Sequence, residues 1–249
     1  MISVTGAPGG PGVRAGISIA DITAGMFAAF GIVTALHART RTGRGQFLDV
    51  SMLEGQLSLL HGHIAFYLAN GIVPQPMGTA YSALLPYQTF RTRTRDLALA
   101  VGSDRLWRIF CPLMGLDHLT DDPRFATTPA RVVNRVPLIA ALEEAFLTRS
   151  YEEWGAIFLD AGIPFGAING IDAVVAHPQA EARASLVECD HPIAGKVRVV
   201  GPPVRLSETP GAVRTPAPLL GEHTDQILRE RLGLTGDDID HLRKTGAIV

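Results

Sequence analysis

The chain holds 249 residues, 47% hydrophobic and 18% charged, with a formal net charge of -2. That length allows a sizeable core in one large or two small domains, and the near-neutral balance gives no basic footprint for nucleic acid or an anionic membrane surface. The cysteines, Cys111 and Cys189, lie far apart with no CxxC spacing, and read as reduced thiols of a cytoplasmic protein.

Glycine and proline punctuate residues 6–16, which read as loop, and no charged n-region or apolar h-region marks a secretory signal. A helix is expected from residue 21 to about 38, with Asp21 at its N-cap or in its first turn. Along it Ala24, Ala28, Gly31 and Ala35 make a stripe of small residues beside a bulky stripe of Ile22, Met26, Phe30 and Val33. Such a helix is expected deep in a core or interface. The apolar run 17–36 raises a membrane question, but Asp21, Thr23 and Thr34 interrupt it, and a buried helix of a soluble protein explains it better.

"ARTRTGRGQ" ends the helix with basic residues and glycines, "FLDVSM" reads as a short strand, and "LEGQLSLLHGHIAFYLAN" reads as one helix stopped by Asn70-Gly71. "GIVPQPMG" has the composition of a connector, and a domain boundary is placed there. Beyond it, "PYQTFRTRTRDLALAVG" reads as two strands and "SDRLWRIFCPLMG" as a helix capped by Ser103. "TPARVVNRVPLIAALEEAFLTRS" and "SYEEWGAIFLDAG" read as amphipathic helices, the second opened by a capping box of Ser150 and Glu153. "IPFGAIN" is expected as a short buried strand and "LVECDHPIAGKVRVVGPPVRL" as a hairpin around Ala194-Gly195. Two terminal helices are expected with caps at Thr224 and Thr235.

Few motifs carry chemistry. "TGAPGGPG" lacks the GxxxxGK[ST] spacing of a phosphate loop and reads as a turn. His61 and His63 are two apart, so on a helix they diverge, and they read as structural rather than as a metal pair. No GxSxG elbow anchors a hydrolase. Asp21 differs: it is a single carboxylate in "ISIADITAGM", with no Lys or Arg within six residues. Local sequence leaves two readings, a plain helix N-cap or a carboxylate held in a poorly hydrated setting for nucleophilic work on an activated acyl group.

The stretch "VRAGISIADITAGMFAAFGIVTALHARTRTGRGQFLDVSMLE" resembles the family III CoA-transferases, the group of formyl-CoA and carnitine CoA-transferases related to alpha-methylacyl-CoA racemase. The resemblance continues through "LLPYQTFRT", "DDPRFATTPARVVNR", "AGIPFGAIN", "HPQAEAR", "HPIAGKVRVVGPPVRLS" and "APLLGEHTDQIL", in family order over essentially the whole chain. It implies that Asp21 is the nucleophile that takes the acyl group and then CoA as covalent intermediates. It also implies CoA contact near Met52 at the end of "VSM", and a glycine-containing loop over the site of which Gly78 remains. No permanently bound cofactor is implied, coenzyme A and acyl-CoA being substrates. Where many relatives read Asn-x-His-Pro, this chain has Thr79-Ala80-Tyr81-Ser82. Where racemase relatives carry a supporting glutamate, it has Ser103 and Asp104, a departure that favours the transferase reading.

The resemblance implies an α/β protein with a partial family fold. Residues 1–72 would be a remnant of the large Rossmann-like domain carrying the Asp motif, 73–186 a smaller α+β domain, and 187–249 a return to the large domain. An interlocked homodimer is expected, with an acyl-CoA and a small carboxylic acid as partners, and neither nucleic acid nor membrane. The family's Rossmann-like half before the Asp motif has no counterpart in these residues, so activity is conditional on it. The expected function is transfer of CoA from an acyl-CoA to a carboxylic acid through an aspartyl intermediate. A non-catalytic fragment or partner subunit, and an acyl-CoA racemase or epimerase, stand as alternatives.

Overall fold

The computed structural model describes residues 1–249, which divide into two compact units, Met1–Ile168 and Asn169–Val249. In the first, a loop with a short 3-10 turn at Ile2–Val4 leads into α1 (Ile19–Thr42), α2 (Met52–Leu59) and α3 (His61–Asn70). Ser18 is the N-cap of α1, so the helix starts two residues before the expected position and Asp21 stands in its first turn. Gly43 closes it in the left-handed region, at φ 70°, after Arg39 and Arg41 at the negative pole.

α1 packs through its small residues. Ala24, Ala28, Gly31 and Ala35 are half-buried, Thr23 is buried, and a Cβ on Gly31 would come 2.9 Å from Leu48 Cδ2. α2 lies against the same face, where Gly55 leaves 3.5 Å between the position of a Cβ and Thr23 Cγ2. The bulky stripe goes the other way: Met26, Phe30 and Val33 are 68%, 80% and 67% exposed. The expectation of a helix deep in a core therefore fails within this chain, because only one narrow face of α1 is covered. By length and composition α1 could cross a membrane.

Two more local expectations are corrected here. Residues 44–51 hold no strand, since no other segment of the chain runs beside "FLDVSM" to complete a ladder. The single helix expected up to Asn70 is two, broken where the Leu60 N–H is shared between the Gln56 and Leu57 carbonyls. Gly71 does stop α3, at φ 67°.

Residues 85–163 carry the core. β1 (Tyr87–Arg91), β2 (Asp96–Ala100) and β3 (Phe165–Ala167) form an antiparallel sheet in the order β1-β2-β3, with Phe90 opposite Leu97 and Leu99 opposite Phe165. Four helices complete this part: α4 (Asp104–Leu113), α5 (Thr128–Val133), α6 (Arg135–Phe146) and α7 (Tyr151–Asp160). Each long one buries residues at helical spacing: Trp107, Phe110 and Cys111; Leu138, Leu142 and Phe146; Trp154 and Phe158. The Phe90 and Phe146 rings stack at 4.6 Å, and the Trp154 Nε1–H donates to the Phe146 carbonyl at 2.9 Å. Burial pushes the Cys111 thiol up to about 12, which leaves it protonated packing material. Ser103 and Ser150 cap α4 and α7 as expected, the latter with its capping box.

The long helix expected over 128–150 is divided at Asn134, whose Nδ2 donates to the Ala130 carbonyl at 2.9 Å and to the Arg124 carbonyl at 3.1 Å.

The second unit holds α8 (Ile171–Val175), α9 (Pro178–Ala182), the hairpin β4 (Leu186–His191) and β5 (Gly195–Val200), then α10 (Thr224–Leu232) and α11 (Gly236–Lys244). Ile239 is its one fully enclosed apolar side chain. Thr235 caps α11 through a capping box with Asp238. Thr224 does not cap α10: its own N–H bonds the Gly221 carbonyl, so the helix is entered one residue earlier, from His223.

Candidate functional site

Asp21 stands at the third position of α1, where free backbone N–H groups and the helix dipole favour a carboxylate. Its oxygens are not spent on capping, because no side-chain cap bond forms at this N-terminus, and it joins none of the ion pairs of the chain. The turn beneath it is firmly placed: Thr23 is buried, donates to the Ile19 carbonyl at 2.6 Å and packs on Gly55 of α2. Asp21 itself is exposed. The expectation of a poorly hydrated carboxylate is thus corrected for this chain, in which nothing covers the outer side of α1.

Asp21 lines a cleft of about 530 Å³ together with Ile2, Arg14, Ser18 and Gln56. Gln56 follows Gly55 on α2, and its Nε2 is buried without a hydrogen-bond partner. Sequence reasoning missed both Arg14 and Gln56. The available signal for Gln56 was its position one helical turn after Met52, as the single amide of α2.

The other two expected site residues lie elsewhere on the first unit. Met52 is the first residue of α2, behind the N-cap Ser51, and is 53% exposed, so it is not an ordinary core methionine. It does not line the cleft of Asp21. Gly78 has φ 64°, a conformation that side chains rarely adopt, and its N–H donates to the Gly6 carbonyl at 2.7 Å. It borders a second cleft, of about 620 Å³, with Pro8, Thr79, Gln88 and Arg135. Residues 1–3 line the first cleft and Pro8 the second, so both open onto one N-terminal loop. Ser103 and Asp104, where racemase relatives differ, are both engaged structurally: Ser103 caps α4, and Asp104 accepts from buried Arg131 at 2.8 Å.

The family model described as CoA-transferase family III matches residues 1–224. The chain belongs to that family. It is 39% identical over its whole length to an acyl-CoA transferase of Fusarium pseudograminearum, and 34% identical to the succinyl-CoA:glutarate CoA-transferase of Mus musculus. It spans 55% and 57% of those two relatives. A crystal structure of a CAIB/BAIF family protein from Brucella suis superposes with a TM-score of 0.74 at 32% identity, over 92% of this chain and 59% of that one. The mixed helices and strands described above are therefore a partial fold of this family of CoA-transferases.

Proposed function

We infer that this chain provides the aspartate-bearing part of an enzyme that moves CoA from an acyl-CoA to a carboxylic acid. The observation that carries the reading is Asp21: a carboxylate in the first turn of a helix, outside every ion pair and lining a cleft, in a chain of this family. In the proposed cycle the Asp21 carboxylate attacks the thioester carbonyl, CoA leaves as thiolate and a mixed anhydride forms. The thiolate then attacks the aspartyl carbonyl, releasing the donor acid and leaving an aspartyl-CoA thioester. The acceptor carboxylate attacks that thioester and frees the thiolate again. The thiolate takes the acyl group from the second anhydride and restores Asp21. Covalent relay of this kind divides one difficult exchange into easier displacements.

Met52 is proposed to touch CoA and the Gly78 turn to border the acid, with coenzyme A a substrate and no cofactor resident. The racemase reading gains no support from Asp104, whose carboxylate already serves Arg131 and Thr128. We retain the division into 1–72, 73–186 and 187–249, the cytoplasmic setting and the homodimer as parts of the proposal.

A second reading, that of a partner subunit, draws on the exposed apolar side of α1, where Phe30 is 80% exposed, and on the 55–57% of the relatives' length that is covered. The two readings separate on CoA titration of the chain by calorimetry, which yields saturable heat only if this chain holds CoA by itself. In any preparation that transfers CoA, Asp21→Asn is expected to lower the rate by at least about a thousand-fold with the fold intact by circular dichroism. Full activity in that variant would overturn the aspartyl mechanism.

A further inference from the structure

Two arginines hold the loop that precedes β1, and the protein treats them differently. Arg131 is completely enclosed, and each of its nitrogens is used. Nε donates to the Leu85 carbonyl, Nη1 to the Phe125 carbonyl and Nη2 to Asp104 and Thr128, all at 2.8–2.9 Å. Its charge is met by the Asp104 carboxylate.

Arg135 opens α6 four residues later. Its Nη2 donates to the Tyr81 carbonyl at 2.9 Å and the Ser82 carbonyl at 3.1 Å, which fixes the plane of the guanidinium. Its Nη1 is buried with no partner, and no carboxylate lies within ion-pair distance. A desolvated cation with a free donor and no counter-ion is costly, and burial accordingly pushes the Arg135 guanidinium below the ordinary arginine value.

That arginine lines the second cleft, whose volume of about 620 Å³ is in the range of small-molecule sites. The N-terminus of α6 borders the same space, and no side chain caps it. Met77 and Ile139 add apolar lining, while Glu143, two turns along α6, adds one negative charge. A single arginine with a nearby carboxylate suits a singly charged group on an apolar stem better than a phosphate dianion. The mouse relative's name gives two dicarboxylic acids, succinate as thioester and glutarate. A carboxylate of such an acid is matched by a cation without a counter-ion.

We propose that this cleft is a carboxylate site, in which Arg135 receives a carboxylate of a dicarboxylic acid. The site rests on the CoA-transfer reading for its substrate class, and on its own geometry for the carboxylate. Pro8 in this cleft and Ser3 in the cleft of Asp21 are at most about 18 Å apart along the chain, so the two spaces flank one loop.

The test is calorimetric titration of the full chain with glutarate. Saturable binding is expected, weakened roughly ten-fold in Arg135→Gln, as loss of a charge-assisted hydrogen bond predicts. Glu143→Gln, at a side chain outside every ion pair and hydrogen bond of the fold, is expected to tighten glutarate about two-fold by removing a repulsive charge. That second variant decides the matter should Arg135→Gln not fold. The proposal is overturned by absence of saturable binding to the parent chain, by unchanged binding in folded Arg135→Gln, by unchanged or weaker binding in Glu143→Gln, or by inorganic phosphate displacing glutarate at equal concentration. None of these measurements reads thioester chemistry. An Asp21-dependent transferase that fails them loses the carboxylate site and keeps its mechanism, whereas glutarate binding without transfer does the reverse.

Discussion

Phe146 and Phe30 both stand on helices rich in apolar residues, yet Phe146 is fully enclosed and Phe30 is 80% exposed. The difference lies in what stands opposite. α6 faces a three-stranded sheet and two further helices, and aromatic rings from β1, α4 and α7 close around Phe146. α1 has only α2 and Leu48 against its narrow small-residue face, so its bulky face meets no second layer. Apolar content makes a helix ready for a core, and a core forms only where another layer arrives.

The sharpest way to break that contrast is a pair of truncations. Phe146→Ala is expected to cost about 3–5 kcal/mol in urea unfolding, whereas Phe30→Ala is expected to stay within about 0.5 kcal/mol. Equal costs would show that α1 is covered in solution and that the two regions do not differ.

Next in size is the buried arginine. Arg131→Ala leaves two carbonyls and a carboxylate without their donor and is expected to cost about 3 kcal/mol. Asp104→Asn should cost somewhat less, about 2 kcal/mol, because it leaves enclosed Arg131 without its counter-ion but keeps an acceptor oxygen at a side chain that is 41% exposed. The Arg131 hydrogen bond, with Thr128 adding to it, holds the Asp104 carboxyl below its ordinary value of 3.8. A depressed folded-state value gives stability that is present above the unfolded value and lost as pH falls through the folded one. The parent chain should therefore lose this increment below about pH 4, and a pH series of melting curves should show Asp104→Asn lacking that step.

The smallest effect is expected at the α7 cap, where Ser150→Ala should cost about 0.5–1 kcal/mol by denaturant midpoint.

What could be read in advance follows the same division. The caps at Ser103, Ser150 and Thr235, the strands β1 and β2, and the hairpin at Gly195 are local devices, and each formed where turn chemistry or a hydroxyl three residues before a free N–H demanded it. "FLDVSM" has the composition of a strand, but a ladder needs a neighbour, and none lies beside it in this chain. The breaks at Leu60 and Asn134 escaped because a shared N–H or one amide side chain redirects the backbone without disturbing the apolar period. At the candidate site, the place of Asp21 in a first turn was legible and its hydration was not. Hydration depends on what covers α1, which no pattern inside the helix records. Arg135 and Gln56 stayed hidden for another reason: an unused nitrogen is a property of three-dimensional accounting, invisible in residue order.

Arg131 also ties the assembly of this region together. One guanidinium reaches chain positions 85, 104, 125 and 128, so three stretches separated in sequence share a single fastening. None of them can loosen without leaving a donor of that buried cation unmet. The segment leading into β1, which borders the second cleft, is consequently committed to the same all-or-none melting as the aromatic cluster behind it.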